Sequence, residues 1–236
     1  MSQLGVGDLI ARSFVLYRGN WRRVLALTVP IVIIVTGVTA LGLGELGAHY
    51  HSSVSLRDAY IDFAASGLVA VPLINSILAR WVLLESRGEQ ISSSDLLAGA
   101  FEAFPNVLLV IVAWVAAVLA GALVVVLAFY FLVSWYFVVQ AVVIDGDRGF
   151  APIARSAALV RGNWWRSAGI GICFQLIAAL PHEAIVAAFD SLASSANSYA
   201  VVVVGEILSN AITLPFLAIG ATLYYLRLRD AAAAGA

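Results

Sequence analysis

Two clusters of arginine carry the clearest chemistry in this chain. Ile10–Arg23 reads IARSFVLYRGNWRR and Ile153–Arg166 reads IARSAALVRGNWWR, with ten of fourteen positions identical at an offset of 143 residues. The first copy carries Arg18, Arg22 and Arg23, and the second carries Arg161 and Arg166. A guanidinium group grips phosphate through paired, parallel hydrogen bonds. If the two copies pack together, these five could form a cradle for the phosphate of a lipid head group or a glycerophosphodiester. The same residues suit a plainer task. Trp21, Trp164 and Trp165 are anchors for a membrane–water interface, and arginines beside them set topology and touch anionic lipid without selecting it.

A second set of polar residues lies inside apolar runs. Asn75, Gln140, Gln175, Glu206 and Asn210 are candidates there, because a polar group facing lipid is costly and is kept for packing or function. Pro181-His182-Glu183 sits in another such run, where the proline is expected to kink a helix. His49, His51, His182 and Glu183 could together hold a metal ion or relay a proton. His182-Glu183 lacks the second histidine of a zincin motif, and interfacial or interhelical polar contacts are the simpler account. No Walker A, GxSxG or CxxC pattern occurs. GLGELG at Gly42–Gly47 follows an apolar run rather than a strand, so it is no dinucleotide loop. The single cysteine, Cys173, excludes an internal disulfide. No cofactor or bound metal is implied.

The elements that must position these groups follow from composition. Of 236 residues, 62% are hydrophobic and 11% charged, with a mean hydropathy of +0.98. Soluble domains hold about 25% charged residues, so the expectation is an all-α integral membrane protein. A net charge of −1 leaves no basic surface for nucleic acid. Apolar runs long enough to span the bilayer are Val24–Leu46, Tyr60–Leu84, Ala168–Phe189 and Tyr199–Leu226. The first exceeds a signal-peptide core, so it reads as a retained helix. Val107–Ile144 has 38 uncharged residues. As one helix it would measure about 57 Å against a hydrocarbon core of roughly 30 Å. It therefore reads as two spans turning between Gly121 and Phe131, for six in all.

Sidedness follows from charge. All thirteen basic residues are arginine. With both termini in the cytoplasm, twelve fall on the cytoplasmic side and only Arg57 falls outside, as the positive-inside rule requires. The expected location is the cell (cytoplasmic) membrane.

A fainter third copy of the opening segment, Asp95–Phe104, reads DLLAGAFEAF against DLIARSFVLY at Asp8–Tyr17. Apolar stripes at Ile10, Phe14, Tyr17, at Leu97, Phe101, Phe104 and at Ile153, Ala157, Val160 have the spacing of an amphipathic helix. One domain of three units is expected, about 1–86, 87–147 and 148–236, each an interfacial helix followed by a transmembrane hairpin. Gly19 and Gly162 are expected to stop the interfacial helices, and Asn20 and Asn163 to cap the next ones. The middle copy has Pro105-Asn106 there instead, and no arginine.

Ser134–Arg166, SWYFVVQAVVIDGDRGFAPIARSAALVRGNWWR, together with LYRGNW near the N-terminus, resembles the membrane-domain family of glycerophosphodiester phosphodiesterases and related six-helix membrane proteins of bacteria and archaea. In fused members a separate soluble domain carries the metal-dependent catalysis. No such domain is present here, so the resemblance implies a membrane role near lipid phosphodiesters and no catalytic residue. The expected function is therefore a non-enzymatic scaffold or lipid-interacting protein, with membrane lipids and a membrane protein as partners. A small-solute or lipid-related transporter with a midplane polar site is the alternative, and an intramembrane enzyme ranks last.

Overall fold

Long apolar runs leave the backbone no partner but itself, so the chain folds as helices. The computed structural model describes residues 5–50, 55–89, 91–121 and 125–234, and no strand occurs among them. The helices are α1 (Val6–Gly19), α2 (Trp21–Leu43), α3 (Leu56–Ala65), α4 (Val71–Ser86), α5 (Ser93–Gly121), α6 (Val125–Ser134), α7 (Val138–Asp145), α8 (Ala151–Val160), α9 (Trp164–Ala196) and α10 (Ala200–Ala234). A π-helical turn, Ser66–Ala70, fuses α3 to α4. Six stretches are long and apolar enough to cross a membrane: Trp21–Leu43, Leu56–Ser86, Ser93–Gly121, Leu127–Asp145, Trp164–Ala196 and Ala200–Ala234. The chain is thus a multi-pass, all-helical membrane protein. Inside the long uncharged run α5 ends at Gly121 and α6 begins at Val125, running back along it. A side chain on Gly121 would stand 2.9 Å from the Ala128 backbone nitrogen, so glycine is what lets α6 return so closely.

The centre of the bundle is α10. Small residues such as Gly205, Ala211, Gly220, Ala221 and Thr222 are buried along it, and small interface residues let helix backbones approach in a membrane. One core gathers Ile74, Leu78 and Trp81 of α4 with Leu96 of α5 and Ile219 of α10. A second gathers Phe137, Phe174, Phe216 and Tyr225. α9 forms an antiparallel hairpin with α10 and shows most of its remaining surface outward, with only 11% of its apolar window buried.

The structure corrects the interfacial segments in three respects. First, Val160 is buried as expected, but at the first two positions of each stripe the buried residue lies one place earlier. Phe14 is 55% exposed, whereas Leu9 and Ser13 are buried, as are Leu96 with Ala100, and Pro152 with Ser156. These pairs sit at the same offsets, 87 and 143, as the sequence matches. A small residue, Ser13, Ala100 or Ser156, occupies the fully buried position in each copy. Second, α5 runs without a break through Pro105, so the middle copy has no hinge. A proline's missing N–H does not by itself end a helix within a membrane bundle. Third, Asn20 and Asn163 make no side-chain cap to the helix that follows.

The two RGNW hinges also differ from one another. Gly162 has φ +85° and ends α8 in the left-handed region, where glycine meets no Cβ penalty. Gly19 is an ordinary helical residue, and the turn comes one position later at Asn20. Asn20 turns its amide back to donate to the Leu16 carbonyl at 3.3 Å. The two asparagines share nearly one conformation, φ −120° and −124°. Each carbonyl accepts the first bond of the next helix, from Val24 at 3.0 Å and Ser167 at 2.8 Å.

Candidate functional site

Where α1, α4, α9 and α10 meet at the arginine-rich end, they enclose a cavity of about 720 Å³. Helical spacing aims its cations. Leu9 packs into the core and Arg12, three residues on, faces the cavity, while Asn163 and Arg166 share one face of the start of α9. Arg87 caps the end of α4, and Arg227 and Arg229 follow Leu223 on the last turns of α10. Five arginines thus line the space against one carboxylate, Asp230. Arg229 is bridged to Asp145 at 3.3 Å and to Asp230 at 3.8 Å. The buried Nη1 of Arg227 has no hydrogen-bond partner among the described residues.

The sequence-predicted cradle is only partly assembled. Arg166 lines the cavity, whereas Arg18, Arg22 and Arg161 are exposed on the surface. Arg22 lies 5.4 Å over the Trp21 ring, and Arg23 donates to the Ile91 carbonyl, tying the start of α2 to the α4–α5 connection. Trp21 and Trp165 are 48% and 79% exposed, as interface anchors would be. Trp164 is instead packed, its Nε1 donating to Ser134 Oγ at 3.2 Å and its ring against Phe129 and Tyr130. Arg12, Arg87 and Arg227 went unselected because nothing local marks them. They lie far apart in sequence and converge only through the packing of α10.

Beside the cavity is a polar cluster that sequence reasoning missed. Tyr225 donates its hydroxyl to Asp145, which also faces Arg229 and, at 3.5 Å, Arg155. Arg155 bonds Asp147 at 2.9 Å, and that hydrogen bond raises its pKa above the ordinary arginine value. Asn106 joins this cluster. Its amide donates to the Asp147 carbonyl at 3.1 Å and its Oδ1 accepts from Gly149 N–H at 2.8 Å. The asparagine of the hinge-less copy therefore holds the α7–α8 turn.

The opposite end has the reverse charge. A cavity of about 580 Å³ there is lined by Glu45, Asp58, Asp62, Glu206, Thr36 and Tyr199, among others. It does not unite the histidines. His49 bonds Asn197 at 3.1 Å, and fifteen helical residues separate Asn197 from His182, about 22 Å of α9. His182 instead meets Ser209 Oγ at 2.5 Å, Glu183 is exposed, and His51 lies outside the described residues. Among the described residues no group of three or more His, Cys, Asp or Glu is arranged to hold a metal. The midplane candidates are equally dispersed. Asn75 donates to Val71 of its own helix at 3.0 Å, Gln140 is buried and its Oε1 has no hydrogen-bond partner among the described residues, and Gln175 faces outward. Asn210 is half-buried one turn beyond Glu206.

Comparison with protein-family models, with curated proteins and with solved structures finds no match to this chain.

Proposed function

We propose that the chain is a non-enzymatic scaffold of the cytoplasmic membrane, with both termini inside, that seats anionic phospholipid head groups against its arginine-rich face. The observation that carries this reading is the polarity of the bundle: arginines line the cavity at one end, carboxylates the cavity at the other. Anionic lipid of the cytoplasmic leaflet contributes about 1 kcal/mol per arginine near its surface, and the positive-inside rule gives the same orientation. The matching buried pairs Leu9/Ser13, Leu96/Ala100 and Pro152/Ser156 support a plan of three related units. They differ in that two units hinge and the middle one runs on as an unbroken helix.

The carrier reading has less support. It needs Asn75, Gln140, Gln175, Glu206 and Asn210 around one space, and Gln175 lies on the outer surface of the bundle. The scaffold reading is tested by extracting the protein with its surrounding lipid in polymer discs. Anionic phospholipid should be enriched over the bulk membrane, and Arg18→Gln with Arg22→Gln and Arg161→Gln should reduce that enrichment. Equal lipid composition in disc and bulk membrane would end the proposal.

A further inference from the structure

Resting on the lipid-facing reading above, we infer that the arginine-lined cavity is a stoichiometric site for a single anionic phospholipid. Its phosphate lies among Arg12, Arg87, Arg166 and Arg227, and an acyl chain runs along the trough between α1 and α4.

The charge argument comes first. Four separate helices bring cations to one space of about 720 Å³. Arg12 and Arg87 are exposed and Arg166 and Arg227 half-buried, and cations gathered around one cleft focus a positive potential that draws an anion. Arg229 is bridged to Asp145 and Asp230. Arg227 lies on the wall of the same cavity. A phosphate, with several oxygens and a match to the guanidinium fork, is the counter-ion such a set of arginines takes.

Size and surroundings separate a lipid from a free anion. The cavity falls within the range of sites for molecules much larger than phosphate, roughly 300–1,000 Å³. It shares Arg12, Ser86 and Leu223 with an adjoining trough of about 510 Å³. The rest of that trough is chiefly Ala11, Val15, Leu16 and Val82. An inorganic anion would leave this apolar surface uncovered, whereas an amphiphile fills both spaces at once. Glu85, the one carboxylate lining the trough, repels phosphate from that side and so fixes which end of the ligand lies where. Arg87 at the end of α4 and Arg166 near the start of α9 set the depth. The head group then lies level with the ends of the membrane-crossing helices.

The test is native mass spectrometry of the full chain in neutral detergent, reloaded with phosphatidylglycerol, phosphatidylcholine or inorganic phosphate. The wild type should retain one phosphatidylglycerol per chain and release phosphatidylcholine. Arg166→Gln with Arg227→Gln should lower occupancy by about tenfold or more, as loss of two charge-assisted bonds requires, while Arg227→Lys should fall between. Ala11→Trp, which fills the trough, should weaken phosphatidylglycerol and leave phosphate binding unchanged. It keeps the proposal testable if the double variant does not fold. Displacement of the lipid by inorganic phosphate, with no effect of Ala11→Trp, would make this a free-anion site and overturn the lipid assignment. If Arg18→Gln with Arg161→Gln removed as much lipid as the cavity pair, attraction would be diffuse. The site would then fall while the scaffold reading stood. If neither pair changed lipid content, both would fall.

Discussion

The ring of Phe174 on α9 occupies the place a side chain on Gly220 of α10 would take, and Phe189 does the same at Gly205. The two contacts are fifteen residues apart on each helix, so one antiparallel register sets both. Gly220→Ala forces a buried ring to move, and overpacking of this kind costs about 1–3 kcal/mol. Gly171→Ala, where nothing lies within 4 Å of the added carbon, serves as the control. Thermal unfolding in detergent should separate the two variants clearly, and equal melting temperatures would refute the packing.

The same register brings His182 to Ser209 at 2.5 Å, a bond between helices at membrane depth. Interhelical hydrogen bonds in membranes average only about 0.6 kcal/mol, with a maximum near 1.7. A double-mutant cycle of His182→Phe and Ser209→Ala should return a coupling in that range. A coupling of zero would make the pair incidental.

Ser13 and Ser156 occupy matching places in the repeated segment but do different work. Ser13 bonds Leu9 of its own helix at 2.9 Å. Ser156 reaches from α8 into the break between α6 and α7, donating to the Ser134 carbonyl at 2.9 Å and accepting from Phe137 N–H at 3.1 Å. Ser156→Ala strands those two backbone groups and should cost about 1–3 kcal/mol. Ser13→Ala should cost well under 1 kcal/mol, since a helical carbonyl bonded along the ladder needs no second donor. Chemical denaturation reads both, and a reversed order would contradict the assignment.

The RGNW hinges offer a similar contrast. Gly162→Ala places a Cβ in the left-handed region and should destabilise by about 1–2 kcal/mol. Gly19→Ala lies within a helix, with open space around it, and should stabilise by about 0.5–1 kcal/mol. Opposite signs of melting-temperature shift are expected, and shifts of the same sign would show that the two hinges are equivalent after all.

The spans were legible because hydropathy and length constrain a membrane helix directly, and the α5–α6 turn fell inside the interval drawn for it. The finer geometry was not. The buried positions Ser13, Ala100 and Ser156 are small or polar, so an apolar stripe passes them by. Pro105 looked like a hinge because local rules break a helix there, whereas α5 continues through it without a break. Arg18 and Arg161 announced themselves by repetition, yet Arg12, Arg87 and Arg227 face the cavity, since only the three-dimensional approach of α10 to α1, α4 and α9 gathers them.

The interrupted fourth span bears on how the chain is made. Trp135–Phe137 breaks the helix in the middle of a membrane crossing, and the hydroxyl that closes the break belongs to Ser156, nineteen residues beyond Phe137. Synthesis therefore delivers the wound before the dressing. Until α8 has emerged and folded back, α6 and α7 can sit in the bilayer only as a provisional pair with open backbone groups. Their final form is a late event of assembly, and truncation before Ser156 should leave a fourth span that never matures.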